Sequence, residues 1–243
     1  MRKIFSIINK FLIVFTSLGG VLLNLIFYKK DGYSSWGVRL LYFTNLSNIW
    51  IGITCLVLAI LLIIKMVKGK DFIKSWMYIL KYVFTISITI TGLVFCCLLA
   101  PNTNGTYQPW TFNSLLAHVF APVFSIIDFF LDDYEIKLNK KHIFYTTLPP
   151  FFYLIFASIF CILKVDFGRG DAFPYFFMNY YSPAGIFGFS DVKPFVIGSF
   201  YWIILFLILT LSLGLIYAKL HPTSIRLARE KKLLKKQSKQ IKK

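Results

Sequence analysis

Long intervals without charged residues alternate with short charged segments along the chain. A membrane core about 30 Å thick needs roughly 20 apolar residues in a helix that crosses it. Six intervals, uncharged except for Asp128 in the fourth, approach or exceed that length, at about residues 11–28, 40–64, 82–100, 112–131, 143–163 and 195–218. A turn-forming Pro-Asn-Thr-Asn-Gly sequence at residues 101–105 divides the third interval from the fourth. The pattern predicts an all-α integral membrane protein whose residues 1–218 form a bundle of six transmembrane helices.

The composition supports lipid as the solvent of this chain. Hydrophobic residues make up 57% of the sequence and aromatic residues 19%, while only 15% are charged. This balance excludes an ordinary soluble domain. Six spans and their connections use most of the 243 residues, so we expect one membrane domain and no separate soluble domain.

The cysteines and histidines predict neither a metal site nor a cofactor. Each cysteine lies in a hydrophobic interval, where a thiol acts as a small apolar side chain. Neither a disulfide framework nor a zinc spacing follows from their positions. The three histidines are far apart in sequence and lack the i, i+4 spacing of a helical metal site. The four cysteines are Cys55, Cys96, Cys97 and Cys161.

Lysine and arginine are distributed unequally between alternate connections. With the amino terminus in the cytoplasm, the segments on that side contain 21 Lys and Arg, and those on the other side contain 6. Cytoplasmic loops of membrane proteins carry the excess of these residues. The sequence therefore predicts a multi-pass protein of the cell membrane with both termini in the cytoplasm (N-in/C-in).

Residues 219–243 form a polybasic tail with ten Lys or Arg and one Glu. Each cation near an anionic leaflet contributes about 1 kcal/mol of attraction. Anionic lipid headgroups are therefore the expected partner of the tail. Nucleic acid is not expected, because no aromatic residue is interleaved with the cations to stack on bases.

Polar side chains inside the predicted spans are candidates for function, because each costs free energy in hydrocarbon unless it is paired or faces a cavity. The start of the second span contains Thr44, Asn45, Ser47 and Asn48. Thr44, Ser47 and Asn48 have the i, i+3, i+4 spacing of one helical face, and Asn45 lies beside them. Four polar groups in five residues exceed what helix packing usually needs.

The fourth span contains His118, with Ser114 and Pro122 four residues away on either side. At 1.5 Å per residue, Thr44 and His118 lie about 6 and 9 Å from the outer ends of their spans. The two residues therefore share one level of the membrane. Asp128 lies about 15 Å further along the axis, too far to orient His118, and we expect it to pair with a lysine such as Lys81 or Lys137.

A long aromatic segment, residues 164–194, connects the last two spans. It contains nine Phe or Tyr residues but is interrupted by prolines and glycines. This composition predicts an interfacial or re-entrant segment rather than a seventh span. In the predicted topology the segment lies on the side of Thr44 and His118, where it can cover a site that lipid enters.

Thr44 and His118 also have purely structural interpretations. A threonine near a helix start commonly bonds to the preceding backbone turn, and a histidine in a membrane commonly makes an interhelical hydrogen bond. Direct proton transfer needs the hydroxyl and the imidazole within about 4 Å, and is implausible beyond about 8 Å. Their separation is therefore the decisive measurement.

Several of these motifs resemble the androgen-induced protein family of six-span membrane hydrolases and its prokaryotic six-transmembrane relatives. The similarity covers most of the chain before the tail, with the motifs in the family's order and spacing. They are Phe-Thr-Asn-Leu-Ser-Asn at 43–48, His-Val-Phe-Ala-Pro at 118–122 with Asp128, Leu-Pro-Pro-Phe at 148–151 and Phe-Pro-Tyr-Phe-Phe-Met-Asn at 173–179.

The resemblance implies a membrane-embedded lipid-ester hydrolase, because the family includes enzymes that cleave fatty acid esters of hydroxy fatty acids. Their threonine nucleophile and histidine match Thr44 and His118. An acyl-threonine intermediate follows, with His118 as general base and with Asn45 or Asn48 as the hydrogen-bond donor to the oxyanion. The implied partners are membrane lipids or acylated small molecules.

The alternative is a non-catalytic polytopic membrane protein, either a small-solute carrier or a scaffold. The polar face of the second span and Asp128 are also compatible with these functions. A carrier is expected to have paired broken helices near the membrane midplane, and the sequence shows no such pair.

Overall fold

The computed structural model describes residues 2–102, 108–131, 136–168, 172–227, 230, 233 and 234. Within these residues, six helices are long and apolar enough to cross a membrane, as predicted. The described residues contain no β-strand, which confirms the all-α class. The helices are α1 (Lys3–Ile26), α2 (Phe43–Lys68), α3 (Ser75–Leu99), α4 (Phe112–Leu131), α5 (Lys140–Ile162) and α6 (Ser199–Leu220). With 20 to 26 residues each, they are about 30–39 Å long.

The helices pack as a core of four with two added at one side. Helix α1 packs along α2 and α4, and α3 packs along α2 and α4. Helices α5 and α6 lie on the side of α3. Tyr82 of α3, Phe129 of α4 and Tyr217 of α6 belong to one buried hydrophobic cluster, and the Tyr82 hydroxyl donates to the carbonyl oxygen of Gly214 at 2.7 Å.

The outer surface of the bundle is apolar. On α6, the large exposed side chains include Ile204, Leu205, Leu207 and Ile208, and α5 exposes similar residues. A helix that is apolar on all its faces belongs either in a protein core or in a membrane. Contiguous exposed apolar surface of this extent is not expected in a water-soluble monomer. These faces indicate a multi-pass membrane protein.

The observed helix boundaries correct the predicted ones at several charged residues. Helix α1 begins well before Lys10, and α3 begins at Ser75 rather than near residue 82. Both predicted spans begin directly after a lysine, Lys10 or Lys81. A helical backbone keeps its hydrogen bonds through a lysine, provided that the ammonium group reaches water or a partner.

Smaller differences occur at the other helices. Helix α2 runs from Phe43 to Lys68 rather than from about 40 to 64. It ends where Gly69 adopts a left-handed conformation with φ of 67° and donates its N–H to the carbonyl oxygen of Lys65, an arrangement that glycine adopts without strain. Helix α5 begins at Lys140, and α6 covers Ser199–Leu220 rather than about 195–218.

A buried ion cluster joins α1, α3 and α4. The ammonium groups of Lys10 and Lys81 lie 3.1 and 2.5 Å from the two carboxylate oxygens of Asp128. All three side chains are at most 2% exposed. The pairing of Asp128 with Lys81 is as predicted. The second partner, Lys10, was assigned to the segment before the first span, because the sequence does not show that its charge is neutralised inside the bundle.

The connection between α5 and α6 folds onto the bundle. Within its described residues it contains no long helix, only a short 3-10 turn at Phe176–Met178. The ring of Phe177 packs against Phe206 of α6, with centroids 4.8 Å apart, and Met178 is also buried. This segment does not form a seventh span, as the sequence predicts.

Two predicted features lie largely outside the described residues. The turn at 101–105 is described only at its first two positions. The polybasic tail is described to residue 227 and again at 230, 233 and 234, so its attraction to anionic lipid stays a prediction.

Candidate functional site

Thr44 lies in the first turn of α2, which begins at Phe43. Tyr42 precedes the helix in an extended conformation and does not cap it with its side chain. The side chain of Thr44 is buried. The first N–H groups of a helix have no partner inside the helix, so Thr44 presents both a hydroxyl and a backbone donor at this end.

The imidazole of His118 faces the Thr44 hydroxyl. Nε2 of His118 lies 3.3 Å from Oγ1 of Thr44. This distance is below the 4 Å set above for direct proton transfer. The prediction that the two residues share one level is therefore confirmed as a contact between α2 and α4.

The other nitrogen of His118 determines its tautomer. Nδ1 lies 2.9 Å from the backbone carbonyl oxygen of Ser114 and 3.2 Å from the Ser114 hydroxyl. A carbonyl oxygen only accepts hydrogen bonds, so a neutral imidazole carries its proton on Nδ1 and leaves Nε2 as an acceptor. The network therefore orients the histidine with Nε2 as a hydrogen-bond acceptor toward Thr44. Ser114, one turn earlier, is the residue that orients it.

Two π-helical turns surround His118. One covers Leu116–Phe120 in α4, and the other covers Phe95–Leu99 at the end of α3. The ring of Phe95 stacks on His118 with centroids 4.2 Å apart and planes 19° from parallel. Single π-turns change the direction of side chains and are frequent at functional sites. Pro122, which follows the turn in α4, has no N–H to donate to the His118 carbonyl oxygen.

Glycines bring the neighbouring helices close to this irregular turn. A Cβ atom at Gly92 of α3 would lie 3.1 Å from the His118 carbonyl oxygen and from Pro122. A Cβ atom at Gly20 of α1 would lie 3.2 Å from the Ala117 nitrogen. Such contacts are tighter than side chains normally make, so both positions favour glycine.

The other polar residues of the second-span motif have structural partners. Ser47 donates to the Thr44 carbonyl oxygen at 3.0 Å and contacts the Thr91 hydroxyl at 2.8 Å. The amide nitrogen of Asn48 donates to the carbonyl oxygens of Thr44, at 2.8 Å, and Ala117, at 3.1 Å. These bonds join α2 to α3 and α4 beside the candidate nucleophile.

Asn45 belongs to a separate polar network at the same end of the bundle. Its amide nitrogen donates to the Arg39 carbonyl oxygen at 2.6 Å, and its oxygen accepts from Asn24 at 3.1 Å. The guanidinium of Arg39 in turn pairs with Asp31 at 2.6 Å. An amide nitrogen has two protons, and both protons of Asn48 are used. These contacts use both amide protons of Asn48 and one of Asn45, and donation to an oxyanion by either residue stays a prediction.

Tyr175, in the segment between α5 and α6, contacts Thr44 directly. Its hydroxyl accepts the Thr44 backbone N–H at 3.3 Å and lies 3.4 Å from Oγ1. Sequence reasoning did not assign this residue to the site. The sequence signal that could have identified Tyr175 is its position in Phe-Pro-Tyr at 173–175, the start of one of the motifs that carry the family resemblance.

An apolar cavity of about 280 Å³ adjoins Thr44. Its walls come from α2, α3, α5, α6 and the connecting segment, with Tyr153, Phe177 and Trp202 among the large rings. Phe151 of α5 and Leu207 of α6 also line it, although they are 55% and 44% exposed. The cavity therefore extends from the threonine toward the apolar outer surface between α5 and α6.

Comparison of this chain with protein-family models, with curated proteins and with solved structures finds no match. What the site can do is therefore inferred from its own geometry: a threonine, an oriented histidine and an apolar cavity that meet at one end of the bundle.

Proposed function

We propose that the protein is a membrane-embedded lipid-ester hydrolase with Thr44 as nucleophile and His118 as general base. The observation that carries the proposal is the 3.3 Å contact between Oγ1 and Nε2, with Nδ1 held by the Ser114 carbonyl oxygen. A nucleophile bonded to a base that a third group orients is the usual arrangement of covalent hydrolases. Fatty acid esters of hydroxy fatty acids are the substrate class that the family resemblance suggests.

The reaction begins when Oγ1 of Thr44 attacks the ester carbonyl carbon while its proton moves to Nε2 of His118. The carbonyl π-electrons move to oxygen and give a tetrahedral oxyanion. On collapse, the bond to the leaving alcohol breaks, and the alcohol oxygen takes the proton from Nε2. Water then attacks the acyl-threonine by the same route and releases the fatty acid and free Thr44.

The cavity supports an acylated substrate. Its apolar walls suit a hydrocarbon chain, since burying each CH₂ group contributes about 0.8 kcal/mol. The exposed wall residues Phe151 and Leu207 place its edge at the surface that faces lipid in the proposed membrane orientation. A chain dissolved in the bilayer can therefore enter sideways and bring its ester to Thr44.

The placement in the cell is part of the proposal. Both termini face the cytoplasm, so Thr44 and His118 lie near the outer face, where water for the second step is close. The tail binds anionic headgroups of the inner leaflet through its lysines and arginines.

Isosteric substitution of the threonine tests the function. Full-length protein in lipid nanodiscs is assayed with a fluorogenic long-chain acyl ester. Thr44→Val is expected to lower kcat by at least about 10³-fold, as loss of a nucleophile does. Thr16→Val is the matched control, because Thr16 is buried and bonds only within α1, to the carbonyl oxygens of Leu12 and Ile13. Equal hydrolysis by the two variants would contradict the proposal.

The alternative is a carrier or scaffold, and the buried ion cluster around Asp128 is the observation in its favour. Charged groups inside a membrane protein often mark an ion or proton pathway. Solute flux by the wild-type protein in proteoliposomes, together with no Thr44-dependent hydrolysis, would favour a carrier over the hydrolase.

A further inference from the structure

The proposed reaction leaves open which groups stabilise the oxyanion. Donors aimed at the developing negative charge usually supply the largest single contribution to such catalysis. Both amide protons of Asn48 are bonded to carbonyl oxygens, and the Asn45 amide is bonded to Arg39 and Asn24. Other groups that reach the cavity beside Thr44 are therefore candidate donors.

Tyr153 of α5 is one such group. It lines the cavity together with Thr44, and its ring packs on Phe43 with centroids 5.2 Å apart. The side chain is only 7% exposed, yet its hydroxyl has no hydrogen-bond partner among the described residues. A buried hydroxyl without a partner is costly, and each such group in a folded protein needs an explanation. A ligand oxygen in the cavity would supply the missing partner.

Tyr175 is the second group. Its hydroxyl oxygen accepts the Thr44 N–H at 3.3 Å and lies 3.4 Å from Oγ1 of Thr44, so its phenol proton is available to an acceptor beside the nucleophile. Removal from water raises the pKa of Tyr175 to about 12, further above neutral pH than that of an ordinary phenol. The rings of Tyr153 and Tyr175 lie with centroids 6.3 Å apart, and both line the cavity at Thr44.

The start of α2 adds a favourable field at the same place. The Thr44 N–H belongs to the first turn of a 26-residue helix. The positive end of the helix dipole stabilises negative charge within that turn. The phenol oxygen of Tyr175 accepts this N–H. The phenol that would donate to an oxyanion is therefore already held beside the nucleophile.

We propose that Tyr153 and Tyr175 are catalytic residues whose phenol groups donate hydrogen bonds to the ester carbonyl oxygen as Thr44 attacks it. This proposal rests on the proposed hydrolase function. As the bond between Oγ1 and the carbonyl carbon forms, the π-electrons move to the carbonyl oxygen, which accepts both phenol protons as hydrogen bonds. The bonds remain until the alcohol leaves and the carbonyl is restored. They form again during attack by water.

The test compares Tyr153→Phe and Tyr175→Phe with wild type in nanodiscs. Each change removes one oxygen and keeps the ring. We expect kcat to fall about 10²- to 10³-fold in each variant, while KM stays nearly constant, because the bond is made mainly in the transition state. A long-chain alkyl boronic acid forms a tetrahedral adduct with the nucleophile. Its inhibition should weaken in the same variants in which kcat falls. Tyr180→Phe is the control, since this residue of the same segment bonds to Ser158 instead.

Stability gives a readout that separates catalysis from packing. Tyr153→Phe removes a hydroxyl that has no hydrogen-bond partner among the described residues, so its thermal unfolding midpoint should equal or exceed that of wild type while kcat falls. A merely structural tyrosine would lower the midpoint and leave kcat per folded molecule unchanged, which would overturn the inference.

The two proposals fail in different ways. Wild-type hydrolysis that depends on Thr44, together with kcat reduced less than threefold in both tyrosine variants, overturns the oxyanion assignment alone. Absence of Thr44-dependent hydrolysis in wild type overturns the assignment and the hydrolase function together.

Discussion

Removing the carboxylate of Asp128 should strongly destabilise the bundle without touching the candidate site. This one carboxylate lies 3.1 Å from the Lys10 ammonium and 2.5 Å from that of Lys81, and none of the three side chains is more than 2% exposed. Breaking a buried pair by removing one partner costs about 3–5 kcal/mol, because the remaining charge stays buried. Two lysines depend on Asp128, so we expect Asp128→Asn to reach at least this range. That is a large part of a total stability of about 5–15 kcal/mol.

Equilibrium unfolding in mixed micelles, followed by tryptophan fluorescence, measures the loss. Asp71→Asn is the matched control, because Asp71 pairs with Lys65 at 2.5 Å in an exposed position, where ion pairs contribute little. A variant with Lys10→Met, Lys81→Met and Asp128→Leu together should recover most of the stability, since replacing a whole buried ion cluster by apolar groups is often neutral. Asp128→Asn with the stability of the Asp71→Asn control would refute this account.

Four further substitutions test the site. Gly92→Val should lower kcat, because a Cβ atom there would lie 3.1 Å from the His118 carbonyl oxygen and displace the imidazole; unchanged kcat would show that the close approach is not needed. His118→Gln should lower kcat about 10²- to 10⁴-fold through loss of the general base, and Thr44→Ser should retain far more activity than Thr44→Val. Phe151→Trp should reduce kcat/KM for long-chain esters more than for short-chain ones, and equal effects would argue against entry of the chain between α5 and α6.

The helix count could be predicted from the sequence because apolar runs must be about 20 residues long to cross a bilayer. The boundaries could not, because charge was used to mark them. Lys10 and Lys81 lie inside helices, and their charges are neutralised by a residue that is more than 40 positions away along the chain in each case. A pattern in one segment contains no information about such a partner. At Gly69 a local signal was present, since a glycine just past a helix is a common stop, but the charge pattern ended the predicted span at residue 64.

The central pair of the site was predictable for a simple reason. An α-helix rises by a constant distance per residue, so the position of a residue within its span gives its depth. Thr44 and His118 lie at similar depths, because each is a few residues from the start of its span and both spans start on the same side. The rotation of each helix about its axis was not predictable. The π-turn at Leu116–Phe120 changes the direction of the side chains around His118, and nothing in the residue spacing specifies it.

The tyrosines show a different limit. Tyr175 reaches Thr44 from a segment without regular structure, whose path depends on how Phe177 and Met178 pack against α6. Tyr153 lies in α5, and only the assembled cavity shows that its hydroxyl lacks a partner among the described residues. Asn45 and Asn48, by contrast, are adjacent to Thr44 in sequence but bond to backbone carbonyls and to Asn24. Proximity along the chain was a poor guide to which donors face the cavity.

The ion cluster also changes the argument for orientation. Lys10 and Lys81 are buried with Asp128. They are therefore left out of the count of loop lysines and arginines that indicates the cytoplasmic side. Without them the split of Lys and Arg is 19 to 6 instead of 21 to 6. The same orientation is favoured, and it now depends on residues outside the bundle, above all on the ten cations after residue 218. If the tail sets the orientation, a chain truncated after Leu220 should insert less uniformly, whereas neutralising the cluster should change stability alone.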